Sequence, residues 1–210
     1  MPLLVEPALS VGTLRGLSQP SLGVDEELRL RPWCGGDAAM VQAAFGCEHI
    51  QRWHVRRLDA LDEAVEWTAQ WEARWAAEEA VSWAVVDGDD NPLGQVGLRS
   101  ISLTEGSAGL SYWVLPAARG RRIAARSVEA VCRWAFDEIG FHRLDIQHSV
   151  GNRASCKVAG QSGFALEGTL RQAIRHADGW HDWHVHGRIR TDRQISQRVS
   201  SSPVPGEFTS

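Results

Sequence analysis

The stretch from residue 107 to residue 149 constrains this chain's fold more than any other part of the sequence. Residues 107–115 read as a strand stopped by Pro116, and residues 119–124 form a short basic loop. A helix follows, with Ala124, Val128, Val131, Ala135 and Ile139 on one stripe at spacings of three and four, and Gly140 closes it. Residues 143–149 read as the next strand. A helix that crosses over between two neighbouring strands leaves them parallel, because a tight turn joins only antiparallel ones. The sequence therefore predicts a parallel strand pair with a helix starting at its carboxyl end.

The flanking segments supply the rest of a mixed sheet. Residues 28–33 alternate like a strand and stop at Pro-Trp-Cys-Gly-Gly, after which Asp37 caps a short helix carrying Met40, Val41, Ala44 and Phe45. Asp59 starts a longer helix with Ala64, Trp67, Trp71 and Trp75 on one face. Residues 82–86 and 93–101 are strands joined by a turn at 87–91. Asn152 opens a short helix ending near Gly163, and residues 164–171 and 183–189 form a hairpin around Asp178-Gly179. The expected class is α+β: a mixed, mostly antiparallel sheet with one parallel pair and flanking helices. Residues 1–26 read as a flexible or docking arm, rich in leucine without a clean period. Residues 27–191 form the domain, and residues 192–210 a disordered tail of Ser, Gln, Pro and Thr.

Composition narrows the function classes. A formal charge of -4 argues against a nucleic-acid or membrane-surface protein. No apolar run approaches the ~20 residues of a membrane span, and no charged-then-apolar leader is seen. Cys34, Cys47, Cys132 and Cys156 are scattered without a CxxC pair, as expected for reduced thiols. A cytoplasmic location is the expectation.

Two local features lie at the carboxyl ends of the parallel strands, where open α/β sheets bind ligands. The first is Arg119-Gly120-Arg121-Arg122 running into a helix. A helix start offers about four unpaired N–H groups and partial positive charge, which suits a pyrophosphate; an ordinary solvated turn fits the same residues. The second is Asn152-Arg153-Ala154-Ser155, which in isolation reads as an N-cap and its N3 residue.

With the preceding Tyr112-Trp113-Val114-Leu115-Pro116, the first feature resembles the acetyl-CoA loop of GNAT acetyltransferases, Q/R-x-x-G-x-G/A. Asn152-Arg153-Ala154-Ser155 followed by Gly163-Phe164-Ala165-Leu166-Glu167-Gly168 is similar to the N-x-x-S…GF-x-x-EG signature of the branch containing ribosomal-protein-alanine N-acetyltransferases. The resemblance covers about residues 28–190. It implies that the parallel pair is splayed, with acetyl-CoA as acyl donor and a primary amine, on a protein N-terminus or a small metabolite, as acceptor. Trp113, Val114 and Leu115 would pair with the pantetheine arm. Arg119 and the backbone of Gly120, Arg121, Arg122, Ile123, Ala124 and Ala125 would hold the pyrophosphate. Asn152 would contact pantetheine, Ser155 would protonate the departing thiolate, and Lys157 would reach the CoA phosphates or face solvent. The N–H of Leu115 would steady the oxyanion.

The chain departs from the family pattern twice. Arg122 replaces the loop's central Gly, and Ile174 stands where members that acetylate protein N-termini often carry a Glu. Glu105, His148 and Asp182 are then the candidates to take the amine proton. These departures motivate an alternative reading as a non-catalytic acyl-CoA-binding module, and a more distant one as a scaffold using the N-terminal arm. Homodimer formation stays open.

His176, His181, His184 and His186 gather near the last strand, but only His184 and His186 share a face by alternation. Without Cys or carboxylate partners at tight spacing, a polar strand beside the substrate mouth is the expectation, and no metal. Trp67, Trp71 and Trp75 read as core, with Trp53 and the Trp67 end of the stripe near the acceptor entrance. Arg52, Arg56 and Arg57 fit a solvated helix face or steering of an acidic substrate.

Overall fold

The computed structural model describes residues 4–192. Of the tail expected from residue 192, only Asp192 falls among them. Eight strands form one sheet: β1 (Leu22–Gly23), β2 (Arg29–Pro32), β3 (Val81–Val86), β4 (Pro92–Ser102), β5 (Ser107–Val114), β6 (Arg143–Ser149), β7 (Ala165–His176) and β8 (Gly179–Ile189). Their spatial order is β1-β2-β3-β4-β5-β6-β8-β7. β5 and β6 pair in parallel, and every other neighbouring pair is antiparallel.

Five helices flank the sheet: α1 (Ala38–Phe45), α2 (Glu48–His54), α3 (Leu61–Ala76), α4 (Ile123–Arg133) and α5 (Arg153–Gln161). α4 buries Val128 and Val131 as its stripe predicts, then widens into a π-turn over Trp134–Ile139. That widening shifts the helical phase, so Ile139 ends only half-buried. Gly140, at φ 96°, turns the chain back, and its N–H and that of Phe141 both donate to the Ala135 carbonyl. Only a residue tolerant of the left-handed region closes the helix this way.

Trp83, Leu30, Leu98, Leu110, Leu144, Ile146 and Phe136 anchor one core cluster, which α4 shares. A second cluster joins α1, α2 and α3 through Val41, Phe45, Ile50, Ala64 and Trp67 to Trp113 of β5. All six residues of β3 are buried, as a strand covered on both faces should be. Of the α3 stripe, Ala64, Trp67 and Trp75 are buried and Trp71 is half-buried.

The N-terminal segment lies on the body. Leu9 and Leu14 are buried, and the carboxylate of Glu78 accepts the amides of Gly12 (2.8 Å) and Leu14 (2.7 Å). Trp75 Nε1 donates to the Leu17 carbonyl at 2.8 Å, and Trp83 Nε1 to that of Pro20 at 2.7 Å. These bonds satisfy buried indole N–H groups that would otherwise lose their water.

Three elements differ from the sequence reading, the first being β1, a short strand paired with β2 inside the stretch read as an arm. α2 buries only Ile50 and has no apolar period to announce it. The final hairpin runs longer than expected because β7 is irregular: its register against β8 shifts twice, and Gln172 sits at φ 47°.

Candidate active site

β5 and β6 stay paired only through residues 107–110 against 143–146. Beyond that point each strand remains held by its other neighbour. β5 pairs with β4 as far as Val114↔Gly94, and β6 with β8 as far as Ser149↔Trp183. The two strands therefore separate toward their carboxyl ends and leave unpaired backbone facing a gap.

The phase of the β4–β5 ladder decides which groups face it. Leu115 N–H donates to the Leu93 carbonyl at 2.9 Å, so by antiparallel alternation Trp113 and Leu115 point their amides at β4. Tyr112 and Val114 then point theirs at the gap. Their carbonyls confirm the direction: Tyr112 O accepts from His54 Nε2 at 3.2 Å, and Val114 O from Arg119 Nε at 3.2 Å. The expectation for Leu115 as oxyanion donor is thus corrected. Its N–H is already bound within the sheet, and Val114 presents the available amide.

A cavity of about 500 Å³ occupies the gap, lined by Trp113, Val114, Arg119, Gly120, Arg122, Ile123, Ala124, Asn152, Ser155 and Lys157 among the expected residues. Leu115, Arg121 and Ala125 are not in the wall. Arg121 faces outward with its guanidinium 3.9 Å from Glu27, and Ala125 packs into the core. α4 begins at this wall. The first of its amides bonded within the helix belongs to Arg126, which donates to Arg122 O, so those of Ile123, Ala124 and Ala125 have no helical acceptor. No acidic side chain caps the first turn. Gly120 sits at φ 85°, and Arg122 takes φ 56° as the N-cap. The place where the GNAT loop prefers Gly is therefore a left-handed backbone position, which Arg occupies here under strain.

Asn152 Oδ1 accepts the Ser155 N–H at 3.1 Å, so Asn152 caps α5 and leaves its amide nitrogen as a donor. The Ser155 carbonyl accepts the Tyr112 hydroxyl at 3.4 Å, which ties α5 across the gap to β5. Burial raises the Tyr112 phenol to about 12, so it stays protonated. His54 is held down to about 4, chiefly by burial, with Arg56 and Arg99 adding and the Tyr112 carbonyl opposing.

A second cavity of about 280 Å³ adjoins the first, sharing Trp53, His54, Tyr112, Asn152 and Ser155. Ile174 lines it, so an apolar side chain stands where the family pattern often has a carboxylate. Ser149 also lines it. Its Oγ lies 2.7 Å from His181 Nδ1, and His181 Nε2 lies 2.8 Å from Asp178 Oδ1. His181 and Asp178 reach the surface, where Arg52 stands 3.8 Å from the other Asp178 oxygen. Burial opposes ionisation of Asp178, but His181 and Arg52 hold its carboxyl below the usual carboxylate range.

The other candidate bases fare differently. Glu105 lies in the turn before β5, nine residues ahead of Val114, with the length of the strand, roughly 23 Å, between them. It does not reach the site. Asp182 is exposed and accepts the Gln172 amide at 2.9 Å, away from the second cavity. His148 lines that cavity, but its Nδ1 bonds the Ser149 carbonyl at 2.8 Å and its Nε2 faces His186 Nε2 at 3.2 Å. Neither ring nitrogen is presented to an incoming amine. Trp53 stands at the junction of both cavities, whereas Trp67 packs among Trp33, Phe45 and Trp71 in the core. The linkage of Ser149, His181 and Asp178 has no sequence signature, because two strands and a turn bring it together.

A family model described as an acetyltransferase (GNAT) domain matches residues 27–165. The uncharacterized N-acetyltransferase YoaA of Bacillus subtilis is 21% identical over 167 residues, 79% of this chain and 94% of that protein. The ribosomal-protein-serine acetyltransferase of Escherichia coli is 28% identical over 101 residues, 48% of this chain and 56% of that protein. Among solved structures, the microcin C7 self immunity acetyltransferase MccE, in complex with acetyl-CoA and AMP, superposes with a TM-score of 0.70 at 20% identity, covering 79% of this chain and 94% of that one.

Proposed function

Given that the chain belongs to the GNAT acetyltransferase family, we propose that it transfers an acetyl group from acetyl-CoA to a primary amine by direct attack in a ternary complex. The observation carrying this reading is the gap between β5 and β6, walled on one side by the uncapped start of α4. The larger cavity takes the donor, and the smaller one takes the amine.

Each residue has a physical task. The amides of Ile123 and Ala124, with Arg119 and Arg122 beside them, hold the diphosphate. The Tyr112 N–H pairs with the pantetheine arm as a further strand would. Asn152 donates to that arm. Val114 N–H steadies the oxyanion that forms when the amine nitrogen attacks the thioester carbonyl. Ser155 gives its hydroxyl proton to the thiolate as the C–S bond breaks and recovers one from water. Lys157, exposed at the rim, adds charge for the nucleotide phosphates.

The amine proton leaves through Ser149. Ser149 Oγ accepts it while passing its own proton to His181 Nδ1, and the imidazolium rests against Asp178 before release to solvent. This route replaces the carboxylate absent at Ile174.

Thiol release from acetyl-CoA is the test, run against peptides with free N-terminal Ser or Ala, aminoacyl nucleotides and polyamines. Turnover on one class supports the proposal and identifies the acceptor. CoA binding without turnover on any of them would favour a non-catalytic acyl-CoA-binding module. No CoA binding would remove both readings.

A further inference from the structure

On the α5 side of the sheet, away from Ser149 and His181, four soft donors converge. β6 and β8 pair His148 directly with His184, and His186 lies two residues further along the same face. Cys156 comes down from α5. One ligand atom from each of His148, Cys156, His184 and His186 lies within 4.8 Å of every other. We propose that these four residues form a binding site for a single zinc-type divalent cation. The inference stands on this geometry and is independent of the acetyl-transfer reading.

Three features point to a ligand rather than a polar corner of the core. First, His148 and His186 are each 4% exposed, and their Nε2 atoms stand 3.2 Å apart. That is the edge of a tetrahedron built on Zn–N bonds of about 2.0–2.1 Å. The donors all lie within 4.8 Å of one another, so the widest gap closes by at most roughly 1.5 Å to reach the same tetrahedron.

Second, one polar atom of the cluster is unsatisfied. Nδ1 of His184 is buried with no hydrogen-bond partner among the described residues. A proton shared by His148 and His186 satisfies only those two rings, whereas a cation also takes a lone pair from His184.

Third, the outer shell is prepared. His148 Nδ1–H donates to the Ser149 carbonyl at 2.8 Å, which fixes the tautomer with the Nε2 lone pair directed into the cluster. Metal-bound histidines are oriented in this way. A set of three imidazoles and one thiol, without a carboxylate, selects a borderline-soft ion over magnesium or calcium.

Sequence spacing concealed the site. His184 and His186 are two residues apart, but His148 and Cys156 come from other elements and meet them only once β6 pairs with β8 and α5 covers both. Cys156 follows Ser155, so a bound ion would pin the first turn of α5, the wall shared by both cavities.

Titrating chelator-treated, full-length protein with Co²⁺ tests the site. One equivalent should bind and give a tetrahedral d–d spectrum with a thiolate-to-cobalt charge-transfer band, which Zn²⁺ then displaces. Stoichiometric Zn²⁺ should raise Tm and shield Cys156 from alkylation. Cys156→Ser should abolish the charge-transfer band without changing the metal-free Tm, and His186→Gln should weaken Zn²⁺ binding by about tenfold or more. Cys47→Ser should leave every readout unchanged. Absence of the band in the wild type, its survival in Cys156→Ser, or a Tm unaffected by Zn²⁺ would overturn the assignment.

Discussion

Ser149 Oγ stands 2.7 Å from Nδ1 of His181, and this contact joins the buried acceptor cavity to the surface carboxylate of Asp178. Ser149 is 2% exposed and alone among the three lines that cavity, so a proton taken up by its hydroxyl finds its hydrogen-bonded acceptor in His181. His181→Ala should lower kcat by roughly 100-fold, the usual weight of a general base, with acetyl-CoA affinity preserved. Ser149→Ala should do nearly the same. Asp178→Asn should cost less, because water can replace the exposed carboxylate as partner of the imidazolium. Steady-state kinetics on the three variants check the order, and an unchanged rate in His181→Ala would remove the route.

Ser155→Ala separates turnover from binding. The cap of α5 survives the change, since Asn152 Oδ1 bonds the Ser155 backbone N–H rather than the hydroxyl. The fold and CoA affinity should be preserved, the latter within about twofold, while kcat falls by on the order of 10- to 100-fold if the hydroxyl serves the thiolate. Calorimetry and single-turnover rates together decide it.

Arg122 holds φ 56° at the start of α4, a backbone state that costs a non-glycine residue about 1–2 kcal/mol. Arg122→Gly relieves that strain but loosens the unfolded chain by about 0.4–1 kcal/mol. The two nearly cancel, so Tm should shift by no more than a few degrees. CoA affinity should hold or rise, because the cradle is made of amides. A loss of tenfold or more would show that the guanidinium itself grips phosphate.

Glu78 supplies a pH dependence that can be read as stability. Burial opposes its ionisation, but the amides of Gly12, Leu14 and Arg15, with the Arg15 guanidinium, outweigh it and leave its carboxyl below the ordinary range. A carboxylate whose folded pKa is depressed contributes stability above its unfolded pKa, and loses it as pH falls through the folded one. Glu78→Gln should therefore destabilise the protein by about 1–3 kcal/mol near pH 7. The gap from wild type should shrink as pH falls below the ordinary carboxylate range and through the lowered pKa of Glu78. Denaturant midpoints at pH 7, 5 and 3 measure it, and a constant gap would contradict the assignment.

How much of this was legible in the sequence depended on whether a feature was local. Pro116, the Arg119–Gly120 loop and the α4 stripe are contiguous, so the parallel pair and the helix start at the cleft could be read directly. The N-cap role of Asn152 was equally local. The oxyanion donor was not, because a one-residue change of ladder phase moves an amide from gap to neighbour, and only the bond of Leu115 to Leu93 sets that phase. Glu105 misled because residue type says nothing about which end of a strand a turn occupies. The relay at Ser149 and the donors around His148 depend on the pairing of β6 with β8, two strands far apart in the sequence, which no local pattern announces.

The account rests on CoA lying in the gap between β5 and β6 with its diphosphate at the start of α4. An amide-resolved NMR titration with CoA addresses this directly. Saturable one-to-one binding is predicted, with the largest shifts and slowed exchange at Tyr112, Val114, Ile123 and Ala124. Saturable binding that leaves those amides unmoved, or no binding at all, would contradict it.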